Sequence, residues 1–187
     1  MTLDIGVGLI LGVLLNDHTG ITYSWSLAIG IFAALLPDLD FIIPSLIKRR
    51  ILNEHREIWS SIHYPLILIP LASLIGFLFN TWVGLVVFLG VTMHFVHDSI
   101  GIGWGIKWLY PFKDTAFFFL YRPPVKAEKD LPKKLIYKWN KQEHAEVIKK
   151  YGDPTNEWFK DIYFHPTAWS ITEYSVFILG LIFAIRH

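Results

Sequence analysis

The chain has 187 residues, 53% of them hydrophobic and only 18% charged, with a formal net charge of +1 and no cysteine. The mean hydropathy of +0.41 lies outside the soluble norm in the direction of a membrane protein, and so small a charge gives no general pull toward nucleic acid, so no nucleic-acid partner is expected. Without thiols there is neither a disulfide framework nor a thiolate zinc site; any metal must be held by His, Asp, Glu, carbonyls or water.

Five apolar runs follow one another: Leu3 to Asn16, Thr22 to Leu36, Tyr64 to Asn80, Thr81 to Val96 and Trp169 to Ile185. The first lacks a basic n-region and a small-residue cleavage site, so it reads as a retained span. Several runs fall short of the ~20 residues a span needs, which calls for tilting or local thinning. Pro37 ends the second run; it biases Leu36 away from helical angles, so the residues after it are expected to be extended, with Asp38 and Asp40 pointing the same way. "FNTW" suits a tight turn between the third and fourth runs. From Lys107 to Pro166 the chain is polar and Lys-rich. "AFFFLY" in that lobe is too short to span and is expected to pack down on the bundle, and "LPKKLIYKWNKQEHAEVIKKYG" reads as one helix with Leu131, Leu135, Trp139 and Ile148 on one side, suited to a membrane surface or to a solvated helix on its own lobe. The expected fold is therefore all-α. Residues 1–106 form a polytopic membrane bundle, 107–166 a small helical insertion and 167–187 a final span, giving about five spans.

Basic residues orient the bundle. Lys48, Arg49, Arg50 and Arg56 lie between the second and third runs and the lobe's lysines between the fourth and fifth, whereas "NDHTGITYS" and "FNTW" carry no Lys or Arg. The positive-inside rule then puts the two basic loops, and the lobe, in the cytoplasm.

The same topology gathers the ionisable residues at the cytoplasmic ends. Asp4 begins the first run, Asp38 and Asp40 close the second, His63 opens the third, and His94, His97 and Asp98 close the fourth. On a helix, His94 and Asp98 are i and i+4, about 40° apart, and can face one cation; His97 lies about 60° to the other side and could orient Asp98 instead. Each residue has a plainer reading. The Asp pair suits a helix cap, Asp4 polar solvation, His55 and His63 a surface, Arg56 a lipid phosphate, Glu173 the interface in preference to a ligand role, and Glu143 and His144 a solvated helix. His18 falls on the opposite side. Ionisable residues at the edge of a span are costly unless paired or functional, which favours function for His94 and Asp98.

"LLPDLDF", "HREIWSSIH" and "HFVHDSIGIGWGIKWLYPF", in that order within residues 1 to 112, resemble the YdjM-like family of membrane-bound, metal-dependent hydrolases. The resemblance implies metal-site roles for Asp38, Asp40, His55, His94 and Asp98. Asp4 stands where the family has a His near the N-terminus. The family's second His falls on Ser60 without a gap and on His63 with a three-residue insertion; His63 is the better cation ligand.

Carboxylate and imidazole ligands suit Zn, Mn or Mg, and several acids suggest more than one cation. The chemistry expected is hydrolysis, with Asp40 or Asp98 as general base and Arg56 steadying a phosphate's charge. The cytoplasmic membrane surface and the family together point to a phospholipid or other small, lipid-linked phosphoester. A non-catalytic cation site in a transport or scaffolding protein is the alternative, although a conducting path would need polar residues deep in the spans.

Overall fold

The computed structural model describes residues 2–40, 43, 63–100, 105–121, 131, 134–151 and 164–187. In chain order the elements are α1 (Thr2–His18), α2 (Tyr23–Leu35), a 3-10 turn (Leu36–Asp38), α3 (Pro65–Phe79), α4 (Thr81–Asp98), β1 (Thr115–Tyr121), β2 (Lys134–Asn140), α5 (Lys141–Tyr151) and α6 (Ala168–Arg186). The five apolar runs thus become α1, α2, α3, α4 and α6. Among the described residues only α4 and α6 are long and apolar enough to cross a membrane, so the expectation of five spans is not supported. The reason is length: the 13 residues of α2 and 15 of α3 rise about 20 and 23 Å, short of a ~30 Å hydrocarbon core.

The bundle is built around α1, which packs on α2, α4 and α6, while α3 pairs with α4. Leu11, Leu15, Ala33 and Val86 fill the contact between α1, α2 and α4, and Val91 and Phe95 extend it toward Ile106. The close approaches are made by glycine. A Cβ on Gly30 would lie 2.6 Å from the backbone nitrogen of Gly12, and one on Gly6 would lie 2.5 Å from the Val176 carbonyl oxygen. Small residues of this kind let helix backbones touch where apolar burial alone gives no preference. Outside, α3 and α6 turn Leu71, Leu74, Leu78, Ile178, Leu179 and Ile182 to the surroundings.

Two backbone expectations are corrected. Leu36 keeps αR angles (φ −54°, ψ −42°) and the chain tightens into a 3-10 turn with Pro37 near its start, so Asp38 and Asp40 do not lie on an extended segment. Pro37 has no N–H to continue the ladder of α2, and its fixed φ suits the first turn of the tighter helix that follows. The lobe, in turn, is not wholly helical. "AFFFLY" and "KLIYKWN" form an antiparallel hairpin in which Ala116 faces Trp139 and Phe118 faces Tyr137. These four are buried with Val147 of α5, and alternate burial along β2 is the strand period overriding the helical one. Leu135, expected to share one side of a helix with Trp139, instead lies on a strand and is 73% exposed while Trp139 is buried. The helix begins only at Lys141. Asn140 caps it, its Oδ1 accepting the Glu143 N–H at 2.9 Å while Glu143 Oε2 accepts the Asn140 N–H at 2.9 Å. Glu143 is therefore half of a capping box, and His144 is buried, not solvated.

The hairpin is attached to the end of α4. Phe119 N–H donates to the Ser99 carbonyl at 2.6 Å, and Ile106 and Phe117 exchange backbone hydrogen bonds at 2.8 and 3.0 Å.

Candidate metal centre

Helix direction alternates along the chain, so the starts of α1, α3 and α6 and the ends of α2 and α4 share one end of the bundle. Asp4 stands in the first turn of α1, Asp38 and Asp40 in and just after the 3-10 turn, His63 two residues before α3, and His94, His97 and Asp98 in the last turns of α4. Exposure is 2% for Asp4, 8% for Asp38, 3% for Asp40 and 1% for His94. Carboxylates so deeply buried are expensive unless something compensates their charge.

His94 is fixed by the backbone. Its Nδ1 lies 2.8 Å from the Ala34 carbonyl oxygen and donates to it. In a 3-10 turn that carbonyl would look to residue 37 for its partner, and Pro37 has no N–H. With the proton on Nδ1, the Nε2 lone pair faces Asp38 Oδ1 at 3.5 Å and Asp98 Oδ2 at 3.3 Å. A carboxylate oxygen of each thus flanks Nε2. Separations of 3.3–3.5 Å from Nε2 leave room for an ion shared between the ring and either carboxylate at bonds of ~2.0–2.1 Å. Asp4, Asp38 and His94 each offer a ligand atom within 4.8 Å of the others and could hold a metal ion. His94 Nε2, Asp38 Oδ2, both oxygens of Asp40 and His63 Nδ1 are buried without a hydrogen-bond partner among the described residues. The donor set therefore fits a divalent cation.

His63 sits between two further carboxylates, Nδ1 3.2 Å from Asp40 Oδ2 and Nε2 3.2 Å from Asp98 Oδ2. The Asp40 approach is close but not aligned as a hydrogen bond. Burial, the largest influence on this ring, opposes its charge, yet Asp40 and Asp98 together outweigh it and hold the pKa up to about 9. His97 does not orient Asp98, which is 4.0 Å from its Nδ1. Its Nδ1 instead meets Asp4 at 3.1 and 3.2 Å, and its Nε2 meets Glu173 Oε1 at 2.6 Å.

The structure thus brings Asp4, Asp38, Asp40, His63, His94 and Asp98 together. His55, Arg56 and Ser60 lie outside the described residues. Two participants were underrated from the sequence: His97, given at most the orienting of Asp98, and Glu173, for which the interface was favoured over a ligand role but which is buried in the cluster. An acid one turn inside an apolar run that enters from this end was the signal available for Glu173. His18 is at the far end, its Nδ1 2.8 Å from the Leu14 carbonyl.

Helices seamed by glycine, two of them of membrane-crossing length, with buried Asp and His converging at one end, define a membrane-type bundle carrying a possible metal site. The chain belongs to the YdjM inner membrane protein family, whose model matches residues 4–183. The match is wider than residues 1 to 112, taking in the lobe and α6 with Glu173. No curated protein and no solved structure matches the chain.

Proposed function

We propose that the chain is a multi-pass, metal-dependent hydrolase of the inner membrane that cleaves a phosphoester or other lipid-linked substrate at the cytoplasmic face. The observation that carries the reading is the group Asp4, Asp38 and His94, whose ligand atoms lie within 4.8 Å of one another, beside buried carboxylate oxygens that lack hydrogen-bond partners among the described residues. The outward leucines and isoleucines of α3 and α6 support a lipid surrounding for more of the bundle than α4 and α6 alone. The basic residues between the second and third apolar runs, and those of the lobe, support the cytoplasmic orientation by the positive-inside rule.

Asp4, Asp38 and His94 would hold Zn, Mn or Mg. Such a cation polarises the scissile bond and acidifies an attacking water. Asp98 has a 30% exposed side chain against 11% or less for Asp4, Asp38, Asp40 and His94, so it lies where water and substrate enter and would take the proton. His63, 3.2 Å from it, keeps that carboxylate ionised between turnovers, and Asp40 holds the far side of the His63 ring. Arg56, between α2 and α3 in the sequence, would steady negative charge on a phosphate, and the resemblance adds His55 to the metal ligands.

The test joins metal content and turnover on one detergent-purified preparation of the full chain. Metal analysis and cleavage of bis-p-nitrophenyl phosphate and a phospholipid panel should both be positive for wild type. Asp38→Ala and His94→Ala should lose both at unchanged helical circular dichroism. Bound metal without turnover on ester, phosphoester or peptide panels would favour a structural or regulatory cation site, and absence of metal would end the proposal.

A further inference from the structure

We infer that Glu173 is a positioning residue for the candidate centre, acting on Asp4 from the last helix through His97. The inference rests on the metal-binding part of the proposed function. One oxygen of Glu173 lies 2.6 Å from His97 Nε2, and the opposite ring nitrogen faces both oxygens of Asp4 at 3.1 and 3.2 Å. The other oxygen accepts the Leu3 N–H at 2.9 Å and the Thr2 hydroxyl at 2.5 Å. A single carboxylate therefore grips the backbone turn that carries Asp4 and the imidazole that fixes the Asp4 carboxylate. The close packing of α1 on α6 at Gly6 and Gly180 makes the reach possible, since a Cβ on Gly180 would lie 2.8 Å from the Gly6 Cα.

A role limited to tying two helices does not account for the choice of residue. At 4% exposure a carboxylate is a costly tie, and a serine or threonine could accept the Leu3 N–H without a buried charge. The charge is what His97 requires. Both ring nitrogens face carboxylate oxygens, so both donate, and the ring needs an acceptor on each side. An amide at 173 cannot accept from Leu3 and from His97 at once, because one of its ends carries hydrogens. Glu173→Gln thus keeps the shape and leaves a donor facing a donor, either at α1 or at the ring. Partners that orient metal ligands in this way typically change affinity 10–100-fold when removed.

The experiment uses the full chain in detergent. Zn²⁺ affinity is measured by competition with a chromophoric chelator, and the visible absorption of Co²⁺ in the same site reports ligand geometry. Glu173→Gln is expected to weaken Zn²⁺ binding 10–100-fold and to change the Co²⁺ spectrum. His97→Ala should do the same, and the double variant should lose less than the product of the two, because the residues act in series. Wild-type affinity and spectrum in Glu173→Gln, even with lowered thermal stability, would reduce Glu173 to a structural tie and overturn the inference, as would losses that multiply fully. If Glu173→Gln does not fold, Glu173→Asp keeps the charge and loses one methylene: weakened binding supports the inference, unchanged binding overturns it. Wild type that binds no cation would overturn both this inference and the proposed function, whereas wild-type binding indifferent to residue 173 overturns this inference alone.

Discussion

The two ends of the bundle handle charge in opposite ways. At the far end, Asp17 and His187 meet at 2.5 Å with 34% and 39% of their side chains exposed, and the Tyr23 hydroxyl donates to the Ala184 carbonyl. Water can screen that pair, and it asks nothing further of the fold. At the near end the acids of α1 and of the turn after α2 are buried beside imidazoles, with carboxylate oxygens of Asp38 and Asp40 left without a hydrogen-bond partner among the described residues. A pair that needs only itself is ordinary surface chemistry. A cluster in excess of its own partners calls for something from outside, and that difference singles out the near end as functional.

The comparison can be broken most decisively at Asp38 and His94. Either residue changed to alanine should abolish metal binding and turnover, measured by metal analysis and phosphodiester cleavage. Gly30→Val should come next: its branched side chain meets the Gly8 and Gly12 backbone, separating the helices that carry Asp4 and Asp38. A loss of about 1–3 kcal/mol in stability is expected, together with weakened Zn²⁺ affinity, read by denaturant unfolding and chelator competition. Adding metal at one hundred times its Kd should stabilise wild type by ~2.7 kcal/mol, a shift visible in thermal melts and absent in Asp38→Asn. Asp38→Asn should also melt higher than wild type in chelator, because a buried charge has been removed. The smallest effect belongs to the far end: Asp17→Asn should cost no more than about 1 kcal/mol and leave metal affinity untouched.

The helices were legible because apolar runs broken at Asn16, Pro37 and Asn80 leave few other solutions, and their alternating direction alone brought Asp4, Asp38, His63, His94 and Asp98 to one end. Their span count was not legible, because a run's composition does not fix where the helical hydrogen bonds stop. The hairpin was hidden for another reason. "LIYKWN" carries strand and helix periods together, and only Phe118 and Ala116, some twenty residues earlier in the chain, decide between them. Likewise, Asp38 and Asp40 were expected to share a direction along an extended backbone, yet the 3-10 turn buries both. Glu173 was underrated because nothing local distinguishes an acid at a lipid interface from one that reaches across to another helix's first turn.

Pro37 has a reach beyond its own turn. It touches the centre through an atom it does not possess: lacking an amide hydrogen, it cannot donate to the Ala34 carbonyl, and His94 does so instead. Restoring that hydrogen with Pro37→Ala would set up a contest for one oxygen, and an imidazole that lost it would be free to turn over and present its other face. The orientation of a side chain on α4 is thereby written into the backbone chemistry of a different helix.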